Sequence, residues 1–158
     1  MDFFSKLDKF IIKISGILVL IAILILPVGA WVYEYKVIPG RYPEGTKIIN
    51  ITGVADNKQG LWTLDKVSGI NYWWAGGIKR ADNIVVKKGD TLIFRITSAD
   101  VTHSFVIEEL GIDSGPLKTG FINEVKLKAD KVGSYTFKCD YVCQIRHVQM
   151  VGKLIVEE

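Results

Sequence analysis

The chain has 158 residues, room for one compact domain and an appendage, with a formal net charge of only +3. Setting aside the three Lys and two Asp of the first 13 residues leaves 17 Lys+Arg against 15 Asp+Glu. These charges are scattered among strand-like segments rather than clustered with aromatics, which argues against nucleic acid as a partner.

Residues 14–33 are uncharged and mostly Ile, Leu, Val and Ala. Twenty helical residues span about 30 Å, the thickness of a bilayer's hydrocarbon core. A transmembrane helix is therefore expected over 14–35, in contact with membrane lipid, after an N-terminal cytoplasmic segment over 1–13. A cleaved secretory signal is the competing reading, with Val28-Gly29-Ala30 as the small-residue site, but the apolar run exceeds the roughly 7–15 residues of a signal core. Pro27 is expected to kink the helix. Lys6, Lys9 and Lys13 before the span balance Lys36, Arg41 and Lys47 after it, so charge bias alone leaves orientation tied. Long domains translocate largely regardless of charge, and a copper–thiolate site, for which the residues near the C-terminus argue, fits an extracytoplasmic location better than the cytosol. The expected arrangement is a single-pass protein of the cell membrane with its C-terminal domain outside the cytoplasm. Trp31, Tyr33 and Tyr35 fit the aromatic belt at the outer interface.

Residues 36–46 hold two Pro and two Gly and read as a linker. From 47 to 158 the pattern is β-rich. Strands are expected at 47–54, 61–65, 84–86, 91–97, 104–107, 124–128, 133–138 and 151–156, with turns at 56–60 and 87–90. Within 91–97, Leu92, Phe94 and Ile96 should face the core. The series reads as a single antiparallel β-sandwich.

The chemistry concentrates near the C-terminus, in Cys139-Asp-Tyr-Val-Cys143-Gln-Ile-Arg-His147-Val-Gln-Met150. His103, the only other histidine, ends a strand-like run upstream. Thiolate and thioether ligands select copper, zinc or iron–sulfur clusters, and Met beside Cys and His points to copper used for electron transfer. A mononuclear blue-copper site needs two His, one Cys and an axial Met; here one Cys is left over, suggesting two coppers. A Cys139–Cys143 disulfide in an extracytoplasmic domain and a zinc site are the alternatives for the same residues.

The order His103, Cys139-x3-Cys143-x3-His147-x2-Met150 and a final strand closely resembles the dinuclear copper A domain of subunit II of haem–copper cytochrome c oxidases. The single N-terminal span resembles the one-helix subunit II of the ba3-type enzymes. The resemblance implies a cupredoxin-like antiparallel β-sandwich with one N-terminal transmembrane helix. It implies that Cys139 and Cys143 bridge two coppers, that His103 and His147 bind one each, and that Met150 and the Tyr141 carbonyl are weak axial ligands. It further implies a non-catalytic subunit that accepts electrons from cytochrome c and passes them to haem in a large membrane subunit I, where oxygen is reduced.

Many relatives have Glu where this chain has Tyr141, and that Glu helps hold magnesium; a phenol leaves magnesium doubtful. Gln144-Ile145-Arg146 replaces a loop that usually contains Gly, so its path is expected to differ locally. Tyr72, Trp73 and Trp74 are candidates for electron transfer into the site, or else fill a sandwich edge. Arg146 is a candidate for pairing with a haem propionate region or a partner carboxylate, or else is solvated. Asp100, Glu108, Glu109 and Asp113 are candidates for an acidic cytochrome-docking patch. A copper A subunit of a nitric oxide reductase shares the motif. Nitrous oxide reductase adds a large catalytic domain, and a thioredoxin-like copper chaperone requires βαβ units and a His far downstream of its cysteines.

Overall fold

The computed structural model describes residues 2–55, 60–67, 78–141 and 150–158. They fall into two units, residues 1–44 and 45–158.

The first unit is helix α1 (Asp2–Val32), which runs through Pro27 without interruption. A π-helical turn (Tyr33–Val37) and a 3-10 turn (Pro39–Arg41) follow. The span carries an 18-residue window of mean hydropathy 2.8, none of it buried in the structure. A helix satisfies its own backbone groups, which is what a polypeptide needs where no water is present to do so. At the helix end Trp31 packs on Tyr35 with ring centroids 5.6 Å apart. Arg41 Nη2 donates to the Tyr33 hydroxyl at 3.1 Å.

The second unit is a β-sandwich. One sheet has the order β2-β1-β4-β7 and the other β3-β9-β8-β5-β6. The strands are β1 (Thr46–Ala55), β2 (Gly60–Thr63), β3 (Asn83–Lys87), β4 (Thr91–Ser98), β5 (Val106–Ile107), β6 (Ile112–Asp113), β7 (Asn123–Lys128), β8 (Gly133–Lys138) and β9 (Val151–Glu157). The sandwich matches the expectation, but it is mixed rather than wholly antiparallel. β1 runs parallel to β4, and β3 parallel to β9. The reason is topological: β3 lies between β2 and β4 in the chain yet joins the other sheet, so the chain crosses between layers before it returns beside β1. Alternation of apolar residues fixes which face a strand buries, not the direction of its neighbour.

The core lies between the sheets. Leu92, Phe94 and Ile96 of β4 are fully buried as expected, joined by Ile51, Trp62, Phe105, Ile107, Phe137 and Leu154. Each such aliphatic or aromatic side chain contributes about 1.5–3 kcal/mol relative to exposure. Phe105 is the hub of an aromatic row, stacked on Phe137 at 5.3 Å and edge-on to Trp62 at 5.3 Å. Two expected strands are shorter than their sequence patterns. The strand expected at 61–65 stops at Thr63, whose Oγ1 accepts the Asp65 N–H in a turn. The one expected at 104–107 begins only at Val106, because Ser104 hydrogen-bonds to Cys139 and Asp140 instead of joining a ladder.

Candidate metal centre

The candidate site sits where β4 ends, β8 ends and β9 begins. His103 follows β4 and is held by a two-way backbone bridge to Leu117, with N···O distances of 3.2 and 2.8 Å. Its imidazole is fully buried. Nε2 lies 2.9 Å from Asp100 Oδ1, and Nδ1 lies 4.0 Å from Cys139 Sγ. Asp100 is itself fixed: Oδ2 accepts the Ala55 N–H at 2.6 Å, and Oδ1 the Val101 N–H at 2.7 Å. A carboxylate accepting from Nε2 sets the tautomer that leaves the Nδ1 lone pair facing the thiol, an arrangement that orients and strengthens histidine ligands to metals.

Without a metal, the same contacts favour the doubly protonated ring. Burial works against a charged imidazole, but the hydrogen bonds to Asp100 and then Cys139, together with their charges, outweigh it and raise the His103 pKa above its usual 6.5. Burial likewise works against ionised Asp100. The bonds from His103, Val101 and Ala55 overcome it and hold the carboxyl below its usual value.

Cys139 is buried, with its Sγ 3.4 Å from the Ser104 N–H. Ser104 Oγ accepts the Asp140 N–H at 3.0 Å, which stitches the strand end to the His103 loop. Met150, fully buried in the same core cluster, accepts the Cys139 N–H through its carbonyl at 3.1 Å. Behind His103 the wall is Gly53 of β1. A Cβ there would stand 2.9 Å from His103 Cδ2 and 3.0 Å from Trp62 Cζ3, so the ring needs a residue without a side chain. Sequence patterning gave no sign of Gly53 or Trp62 as site residues. The only available signal was a glycine inside an apolar strand.

Of the six expected ligands, His103 and Cys139 face each other, Met150 is joined to Cys139 through its carbonyl, and Tyr141, two residues after Cys139, is 41% exposed. Cys143 and His147 lie outside the described residues, as do Arg146, Tyr72, Trp73 and Trp74. Among the described residues no group of three or more His, Cys, Asp or Glu gathers as a metal site. Of the four expected docking acids, Asp100 turns inward onto His103. Glu108 pairs with Lys138 at 2.7 Å, Glu109 accepts the Thr136 N–H at 3.3 Å, and Asp113 accepts the Gly115 N–H at 2.8 Å. The Glu108 hydrogen bond raises the Lys138 pKa.

The family model for the periplasmic domain of cytochrome c oxidase subunit II matches residues 76–157, a stretch that contains all six expected ligands. The chain belongs to this family. A cytochrome c oxidase subunit 2 from Alkalihalophilus pseudofirmus is 34% identical over 100 residues, covering 59% of this chain and 28% of that protein. Across it and two such subunits from Thermus thermophilus, this chain spans 28–55% of the relatives' own length. The periplasmic domain of cytochrome oxidase subunit II from Bradyrhizobium japonicum aligns with a TM-score of 0.53 at 22% identity, covering 73% of this chain and 87% of that one. A chain of a heme-copper terminal oxidase dimer aligns with a TM-score of 0.53 at 20% identity, covering 92% and 99%. At these identities the two structures establish the fold, which is cupredoxin-like.

Cytochrome c oxidase subunit II proteins normally bind copper A. The donor set here fits that metal: a buried imidazole with its Nδ1 turned to a buried cysteine, a thioether in the same core and, among the described residues, no cluster of carboxylates around them.

Proposed function

We propose that this chain is the electron-accepting subunit of a haem–copper terminal oxidase. His103, Cys139, Cys143, His147 and Met150, with the carbonyl of Tyr141, would hold a dinuclear copper centre. Such a centre supplies one-electron redox chemistry when bound. The observation that carries the reading is the Asp100–His103–Cys139 line, in which a carboxylate fixes the imidazole through Nε2 so that Nδ1 faces the thiol. The chain's part is to hold those donors rigidly, and Cys139 and Met150 adjoin the ends of β8 and β9 while His103 is bridged to Leu117, so that little must move when the charge at the site changes.

In this reading α1 spans the membrane, the sandwich lies on the extracytoplasmic side, and a cytochrome c or similar carrier donates electrons. The acceptor is haem in a large membrane subunit that reduces oxygen; the subunit itself performs no catalysis. Membership of the family and the likeness to a chain of a heme-copper terminal oxidase dimer support this partner.

The test is to load the purified full chain with copper. Two coppers per chain, a purple colour and a hyperfine pattern from one electron shared by two metals are expected. One copper per chain with a four-line pattern would overturn the dinuclear assignment.

A further inference from the structure

Trp62 stands in the sheet opposite Cys139 and Met150, yet its indole reaches across the sandwich. Nε1 donates to the Met150 carbonyl at 3.1 Å in a buried hydrogen bond. The same carbonyl accepts the Cys139 N–H at 3.1 Å. That second bond is the first pairing beyond the β8–β9 ladder, which ends at Lys138 opposite Val151. It therefore joins Cys139 to Met150 directly, and Trp62 fills the carbonyl's remaining acceptor site.

The same side chain also forms part of the wall behind His103. Trp62 is the cross-strand partner of Gly53, and its ring lies 6.2 Å from the imidazole at an interplanar angle of 57°. Phe105 meets it edge-on, so the indole has little freedom to turn away. A buried indole N–H needs an acceptor, and here that need ties one sheet to the other.

We propose that Trp62 is a positioning residue: it fixes the Met150 carbonyl against Cys139 and backs the His103 ring, so that one side chain sets the relative placement of three ligands. The inference rests on the reading of His103, Cys139 and Met150 as copper ligands.

The experiment compares the wild-type full chain with Trp62→Phe, which keeps an apolar ring and removes the N–H, and with Leu92→Ala, a core change at the far end of β4. In the metal-free wild type, the Trp62 indole proton, identified by its loss in Trp62→Phe, should exchange with solvent at least about 100-fold more slowly than an exposed indole. Trp62→Phe should move the Cys139 amide resonance. At equal copper content it should also displace the absorption bands and the reduction potential, whereas Leu92→Ala lowers Tm and leaves both in place. An indole exchanging at the exposed rate, or a Trp62→Phe spectrum and potential equal to wild type, overturns the proposal. A wild type that binds no copper defeats the copper reading instead, and the metal-free measurements then still decide whether Trp62 holds Met150 to Cys139. Should Trp62→Phe not fold, the indole exchange of the wild type, assigned through its contacts to Phe105, decides.

Discussion

His103 and Asp100 form a 2.9 Å contact between Nε2 and Oδ1, three residues apart in sequence and inside the end of the sandwich. The carboxylate also holds two backbone N–H groups, so the imidazole is attached to a fixed frame rather than to a mobile side chain. Asp100→Ala should weaken copper binding by about 10–100-fold, the usual effect of removing a partner that orients a metal ligand. It should also lower stability by about 1–3 kcal/mol, since the Ala55 and Val101 N–H groups lose their acceptor. Copper titration against a competing chelator and urea unfolding measure the two effects. Unchanged affinity in Asp100→Ala would show that His103 needs no orienting partner.

Gly53→Ala places a methyl group 2.9 Å from His103 Cδ2 and 3.0 Å from Trp62 Cζ3, both in fully buried rings. Overpacking of this kind costs about 1–3 kcal/mol. Displacement of either ring should alter the copper spectrum along with the unfolding midpoint, since His103 is an expected ligand and Trp62 holds the Met150 carbonyl. A fall in midpoint with an unchanged spectrum would mean that neither ring had shifted at the site.

Gly152→Ala should be the more damaging glycine change. The new Cβ would meet Phe137 Cε2 at 2.5 Å and the Ala81 carbonyl at 2.7 Å, and backbone cannot swing aside as a side chain can. A loss at or above the top of the range of about 1–3 kcal/mol is expected, read from thermal or denaturant unfolding. A loss smaller than that of Gly53→Ala would contradict the tight packing of β9 against Phe137.

Asp90 gives a pH prediction away from the site. Its carboxylate accepts from Lys47 Nζ at 2.5 Å and from the Lys87 N–H at 2.8 Å. These hydrogen bonds, that of Lys47 first, hold its pKa below the usual 3.8. A folded pKa below the unfolded one means that the contribution is complete well above 3.8, and is lost as pH falls through the lower folded value. Asp90→Asn should therefore be less stable than wild type at neutral pH, with the gap closing only below about pH 4. Urea unfolding of both chains from pH 2 to pH 7 measures this; a gap that stays constant across the range would exclude the linkage.

Much was legible in the sequence because it was written in local patterns. Twenty uncharged residues predict an apolar helix by length alone, and the alternation over β4 named Leu92, Phe94 and Ile96 as core, which they are. Donor softness pointed to copper, since two Cys, two His and a Met within one arrangement suit few other metals. The spacing also carried the resemblance to the family to which the chain belongs.

The tertiary structure decided what depends on groups far apart in the chain. Asp100 reads from sequence as one of four surface acids beside His103. Only the folded loop turns it inward, because its carboxylate has three donors waiting, one of them from Ala55 on another strand. Trp62 is 88 residues from Met150 and Gly53 is 50 from His103, so no local period connects either pair. The parallel pairing of β1 with β4 was hidden for the same reason: side-chain alternation is identical in parallel and antiparallel strands, and only the crossing of β3 into the second sheet sets the direction. The sequence thus determined which donors the chain carries. Packing between the two sheets determined where His103, Cys139 and Met150 are held.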